Sequence, residues 1–324
     1  MSLTNPKVIS IGEVLIDFIA QEKGSIEDVT TFQKCPGGAP ANFAVGLARL
    51  SVDVAFVGKV GDDVFGEYLK KTLENEGVIT DHISKGKPDE RTALAFVSLD
   101  KDAERNFLFY RNNAADLKLT KEDIPLDKIS KAKYLHLGSV SLTDNPCRDT
   151  IFEVIEVCKE AGVKICFDPN IRLDLWENEL QLRKTLEKVL PFVDICYPSK
   201  EELFFILDKT TSDEQEAINL LMEKYPIDIV ALKLGIDGCL IKKRDDFFLS
   251  IPSFDVPVID TTGAGDGFNA GFIFALVNDR GLEVAGIMGN AVGALVIQQK
   301  GAMSALPTNT DLAVFLIDHK VKLP

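Results

Sequence analysis

Histidine is nearly missing from this 324-residue chain, which has only His82, His136 and His319. His136 lies in a strand-like run and His319 among polar residues near the C-terminus, so each reads as structural or solvated. A Ser-His-Asp hydrolase or a His-ligated metal site has little to work with, and acid–base chemistry falls to carboxylates. The six cysteines (Cys35, Cys147, Cys158, Cys166, Cys196, Cys239) contain no Cys-x-x-Cys pair and no metal-type spacing. Several lie in apolar runs, the pattern of reduced core thiols in a cytoplasmic protein. Only Cys35, beside a glycine pair, falls near a candidate site. No apolar run approaches the roughly eighteen residues that would span a membrane, and residues 1–7 lack the basic-then-apolar pattern of a signal peptide. Cations are also short: 36 Lys plus Arg against 50 Asp plus Glu leaves a net charge of −14. That surface repels nucleic acid and anionic lipid, so any phosphate-bearing ligand must be attracted locally.

What is present is an ordinary globular composition, 46% hydrophobic and 27% charged, with no internal repeat and no low-complexity linker. Short apolar runs read as buried strands at Val8–Gly12, Ala55–Gly58, Tyr134–Leu137, Lys164–Phe167, Ile195–Tyr197 and Ile229–Leu232. Helical patterns alternate with them, as in 150–161, apolar at Ile151, Val154, Ile155 and Cys158. The alternation predicts an α/β fold of three αβα layers, Rossmann-like, around a mostly parallel central sheet. Residues 1–324 form a single domain in this reading. Thr92–Leu99 and Asn106–Tyr110 break the pattern as a hairpin with a polar turn, and with Phe18–Phe32 they predict a small antiparallel β lid inserted at about 16–34 and 91–111.

The richest segment is Val258-Ile-Asp260-Thr-Thr-Gly-Ala-Gly-Asp266-Gly-Phe-Asn-Ala-Gly-Phe272. A short apolar strand feeds a glycine-rich turn, and Asp266 sits where an apolar helix begins. Glycines let backbone N–H groups approach an anion, and the helix dipole favours negative charge there. Phosphoryl transfer needs such donors together with a carboxylate that accepts the attacking hydroxyl's proton. A lone Asp in this place would be a helix cap; Gly263, Gly265, Gly267, Thr261 and Thr262 around it favour the functional reading. A Walker A loop is absent, and the Gly263-x-Gly265-x-Gly267 spacing late in the chain does not fit a dinucleotide fingerprint.

Asp260-Thr-Thr-Gly-Ala-Gly-Asp266 resembles the C-terminal signature of the PfkB (ribokinase-like) carbohydrate kinases. Gly37-Gly-Ala-Pro-Ala-Asn42, continuing to Gly58-Lys-Val-Gly-Asp-Asp-Val-Phe-Gly66, resembles their N-terminal signature. Within the family, Arg91–Phe96, Tyr110–Asp116, His136–Ser141 and Phe167–Trp176 look most like fructokinases. The resemblance implies a ribokinase-like fold and MgATP-dependent phosphorylation of a sugar, with fructose and its 6-hydroxyl as the leading acceptor. It implies that Asp266 is the general base and that the amides of Gly263, Ala264 and Gly265 form the anion hole. Asp17, Gly37, Gly38 and Asn42 would bind the sugar; read alone, they are a strand-end charge, an ordinary turn and a helix-start polar residue. Arg172, after Asp168-Pro-Asn170 at a strand's carboxyl end, would meet the phosphate or the sugar. Arg111, at the foot of the lid, would close over substrate or form a salt bridge.

On the nucleotide side the resemblance implies Ser199, Lys233, Gly235, Gly238, Asn290, Gly301 and Ala302, with Gly263 and Gly265. Two positions depart from the family: Ser199-Lys-Glu-Glu202 replaces Asn-x-x-Glu, and Lys233 stands where many relatives have threonine. Glu202 would act on Mg²⁺ through water, and Lys233 would contact phosphate as a point charge. The stretch Gly286–Gly301 reads equally as a closely packed helix. The family commonly has a monovalent-cation site around the anion loop; Asp260 and Thr262 match part of it, which adds K⁺ as a candidate. The expected partners are a small sugar and MgATP, with no nucleic acid and no membrane, and an exposed lid edge suggests a homodimer. Two rivals stay open: a 2-keto-3-deoxygluconate or other sugar-acid kinase, with Arg111 or Arg172 holding the carboxylate, and a non-catalytic sugar-binding sensor.

Overall fold

A computed structural model describes residues 5–99, 105–208 and 211–323. The chain begins in the main sheet with β1 (Val8–Ile11), leaves it after Gly12 for the lid strands β2 (Leu15–Ala20) and β3 (Phe32–Gly37), and returns through α1 (Ala39–Arg49) to β4 (Val54–Val60). Then come α2 (Val64–Asn75) and β5 (Ile79–Lys85), and β6 (Leu94–Leu99) and β7 (Arg105–Tyr110) complete the lid. The short α3 (Leu126–Ile129) precedes β8 (Tyr134–Gly138), α4 (Cys147–Ala161), β9 (Lys164–Asp168), α5 (Glu179–Val189) and β10 (Ile195–Cys196). Next follow α6 (Lys200–Ile206), α7 (Glu214–Lys224), β11 (Ile229–Lys233), β12 (Cys239–Lys243) and β13 (Phe248–Ile251). The chain ends with α8 (Ala264–Val277), α9 (Leu282–Val296) and α10 (Asn309–Asp318).

The main sheet runs β13-β12-β11-β10-β9-β8-β1-β4-β5, parallel from β11 to β5, with β12 and β13 added antiparallel at one edge. Its central strands are apolar on both faces because helices cover both. One core gathers α1, α8, α9 and α10 side chains such as Phe43, Phe272 and Phe315; the other gathers α4 to α7 side chains such as Ile151, Leu186 and Leu221. Helix α4 buries the expected Ile151, Val154, Ile155 and Cys158, and Gly162 ends it in the left-handed conformation at φ 75°. Helices α8 and α9 pack closely: a Cβ on Gly271 would stand 2.5 Å from the Met288 carbonyl oxygen.

The lid sheet runs β3-β2-β6-β7. Its outer pairs are antiparallel, but its central pair, β2 with β6, is parallel. The chain passes from the main sheet to the lid at residues 12–14, so the expected strand at Val8–Gly12 and the expected lid segment from about 16 fall in different sheets. The hairpin turn expected at 100–105 lies almost wholly outside the described residues. Helix α1 starts at Ala39, two residues before the expected start at Ala41, because Pro40 fits the first helical turn. Chain crossings to β4 and to β8 lie on opposite sides of β1, and crevices at the carboxyl ends of strands at such a reversal are where α/β sheets hold ligands.

Candidate functional site

A cavity of about 770 Å³ opens at those carboxyl ends, between the main sheet and the lid. The glycine turn forms one wall. Asp260 organises that turn: its Oδ1 accepts from the Thr262 amide (2.9 Å) and hydroxyl (2.6 Å), and its Oδ2 accepts from the Gly301 amide (2.9 Å). Gly263 then sits at φ 79°, where a Cβ would lie 2.8 Å from Ala302 Cα, so only glycine fits. Helix α8 starts at Ala264, and its first-turn amides have no intrahelical acceptor. Of the three expected anion-hole amides, Ala264 donates to the Thr261 carbonyl at 3.3 Å, whereas Gly263 and Gly265 line the cavity.

Asp266 lies in the first turn of α8 and lines the cavity. Desolvation, followed by the charge of Asp168, pushes its carboxyl up to about 7, against the pull of Asn42, Lys233 and Arg172. Asn42 Nδ2 donates to its Oδ2 at 2.8 Å, which links α1 of the N-terminal motif to α8 across 224 positions of sequence. Asp17, on β2, is also raised to about 7 by desolvation, with Arg172 drawing it down. Its carboxylate lies over Gly37: a Cβ there would stand 2.0 Å from Asp17 Oδ2. Gly38, at φ 102°, packs against the Glu13 carbonyl. Arg172 reaches under the lid with its guanidinium 5.9 Å from the Phe107 ring.

Around Asp266 the strand ends supply a charged cluster. Lys233 Nζ, at the end of β11, lies 3.1 Å from Asp168 Oδ1, at the end of β9. Asn269 Nδ2 holds the other Asp168 oxygen at 2.9 Å. Burial alone would lower the Lys233 pKa, but Asp168, Glu202 and Asp266 outweigh it and keep the ammonium charged. The ammonium lies 3.5 Å from where a Gly265 Cβ would be, which puts a fixed cation beside the glycine turn. Glu202 accepts from the Ser199 amide (2.8 Å) and the Ile171 amide (2.9 Å), and Ser199 caps α6 in return. Burial, the largest influence, raises the Glu202 carboxyl. One N–H per oxygen leaves lone pairs on Glu202 for a water, which fits an outer-sphere role towards Mg²⁺ held mainly by phosphate oxygens and water.

The cavity gathers Asp17, Gly38, Asn42, Arg172, Ser199, Glu202, Lys233, Gly235, Thr262, Gly263, Gly265, Asp266 and Ala302 from the sequence-derived set. Other expected residues do not line it. Gly37 lies behind Asp17, and Gly301 donates to Asp260. Gly238 forms a tight turn at φ 90° against the Ile251 carbonyl. Asn290 Nδ2 donates to the Ile251 and Pro252 carbonyls, both at 3.0 Å, which spends its amide on tying α9 to β13. Arg111 is buried in an ion pair with Asp116 rather than poised to close over the cavity. Cys35 lies opposite Asp17 on β3 but is not part of the wall, and burial pushes its thiol up. Sequence reasoning passed over Glu13 and Asn269. Both signals were there: Glu13, Leu15 and Asp17 fall on one face at period two, and Asn269 follows Asp266 by one helical turn.

Comparison with known proteins fits this geometry. The model of the pfkB family carbohydrate kinases matches residues 5–309. This chain belongs to that family. A fructokinase from Solanum tuberosum is 39% identical over 323 residues, 97% of each chain. The solved fructokinase of Vibrio cholerae, bound to fructose, ADP and calcium, superposes with a TM-score of 0.85 at 34% identity, covering 96% of this chain and 99% of the other. A sugar kinase from Pyrococcus horikoshii, in complex with ATP, gives a TM-score of 0.84 at 37% identity, covering 94% and 96%.

Proposed function

We propose that this carbohydrate kinase is a fructokinase that transfers the γ-phosphoryl group of ATP to the 6-hydroxyl of D-fructose. The observation that carries the reading is Asp266 itself: a carboxylate with a pKa near 7, beside an anion-accepting glycine turn, in one cavity with Asp17. A base poised near neutral pH takes the hydroxyl proton as the oxygen attacks phosphorus. The Gly263 and Gly265 backbone and the Lys233 ammonium offset charge on the transferred group, which is where electrostatic preorganisation counts most. Asp17 accepts hydrogen bonds from sugar hydroxyls, and Asn42 holds Asp266 in line. The lid carries Asp17, Phe107 and Phe109 over the cavity and excludes water that would otherwise hydrolyse the nucleotide.

Mg²⁺ belongs to this reading: Glu202 would hold it through water, and the ion would supply charge neutralisation for the phosphates. K⁺ beside the Asp260–Thr262 turn is proposed with it. The six free thiols, five of them buried, favour a reducing cytoplasmic setting. The lid's β7 edge exposes Leu108 and Tyr110, and a homodimer pairing lid with lid would cover them. Coupled ADP release with fructose, ribose and 2-keto-3-deoxygluconate tests the proposal. Fructose should give the highest kcat/KM; turnover with none of the three, or a preference for the acid, refutes it.

A further inference from the structure

Arg111 lies directly behind the cavity wall. Its Nε and Nη2 both meet Asp116 Oδ2, at 2.7 and 2.6 Å, and its Nη1 donates to the Val140 carbonyl and the Thr143 hydroxyl, each at 3.0 Å. Glu13 and Val140 line the cavity, and the Glu13 carboxyl, which accepts from the Ser141 hydroxyl at 2.5 Å, also feels the Arg111 charge. One buried guanidinium therefore serves two buried carboxylates. Asp116 Oδ1 is buried with no hydrogen-bond partner. A half-satisfied buried carboxylate weakens the case for Asp116 as a stabilising element and asks for another reason for its presence.

An arginine fork is the side chain best suited to hold a substrate carboxylate, and Arg111 is one residue layer from the cavity, through Val140. We propose that Asp116 is a specificity-determining positioning residue, which pins and neutralises Arg111 so that the cavity accepts neutral sugars and rejects sugar acids. The inference rests on the sugar-kinase reading. Discrimination here works by withholding a cation as well as by repulsion: eight carboxylates and three cations remain on the cavity wall, and one of those cations, Lys233, is committed to Asp168.

The test compares kcat/KM for 2-keto-3-deoxygluconate with that for fructose in wild type, Asp116→Asn, Arg111→Met and the double variant. Asp116→Asn keeps the shape and removes the counter-charge. It should raise the acid-to-fructose ratio at least tenfold, and the double variant should return the ratio to within about threefold of wild type. A merely structural Asp116 would lower both activities and leave the ratio alone. An unchanged ratio in folded Asp116→Asn, or an equal rise in Arg111→Met alone, overturns the proposal. If Asp116→Asn does not fold, Glu13→Gln removes the other carboxylate facing Arg111: a rise that Arg111→Met cancels supports the proposal, and no rise overturns it. Wild type inactive on fructose would instead overturn the parent reading.

Discussion

At the scale of single residues, the site depends on carboxylates held where water does not stabilise their charge. Asp266 and Asp17 are both raised to about 7, desolvation being the largest cause for each. In the proposed mechanism their deprotonated forms are the working ones, as base and as hydroxyl acceptor. The kcat/KM of the free enzyme for fructose should therefore fall as pH drops below about 7, approaching a tenfold loss per unit or steeper; a profile flat from pH 5 to 8 would contradict this. The same shift has a stability sign. A carboxyl raised in the folded state costs stability once ionised, so Asp266→Asn should melt a few degrees higher than wild type at pH 8. The gain should shrink towards pH 5, where wild-type Asp266 is protonated in the fold, and differential scanning calorimetry at both pH values reads it. Histidine supplies no rival base: burial drives His136 down to about 3, and it stacks on Phe43 with 3.7 Å between ring centroids.

At the scale of elements, glycine turns set where those carboxylates stand. Gly37→Ala would push a methyl group into Asp17 Oδ2 without backbone strain. It should raise the KM for fructose about tenfold or more, with the melting temperature and the KM for ATP little changed; an unchanged fructose KM would refute the contact. The parallel strands, the helices between them and the glycine turn before α8 were legible in sequence because period and turn chemistry are local. So were Asp266 and Asn42, which their motifs marked separately. Their 2.8 Å hydrogen bond was not legible, since nothing local pairs positions 224 apart. Asn290 and Gly238 fail to line the cavity for the same reason: their partners, the Ile251 carbonyl and the end of β13, are tertiary neighbours. Arg111 differs, because its ion-pair partner Asp116 is five residues away, and only its Val140 and Thr143 acceptors are distant in sequence. The lid was expected to be antiparallel, yet β2 pairs with β6 in parallel, because apolar periodicity does not report which strand a segment pairs with.

At the scale of the whole molecule, the lid ends in β7, which pairs only with β6 among the described residues and exposes Leu108 and Tyr110. If two lids pair, Leu108→Glu together with Tyr110→Glu should shift sedimentation from dimer to monomer and raise the KM for fructose, because the lid carries Asp17. A wild-type monomer at assay concentration would refute the pairing. Net charge −14 gives no general attraction for a nucleotide, so in the proposed reading attraction is local, from the Lys233 ammonium and the glycine turn beside it. Both lie beside Asp266, whose contribution in the proposed mechanism is made chiefly in the transition state. The most direct measurement is turnover by Asp266→Asn, alongside equilibrium binding of fructose and ATP. A fall in kcat of about 10²–10⁴-fold, with both affinities within several-fold of wild type, is the predicted result; retention of most of the wild-type kcat would show that Asp266 is not the base.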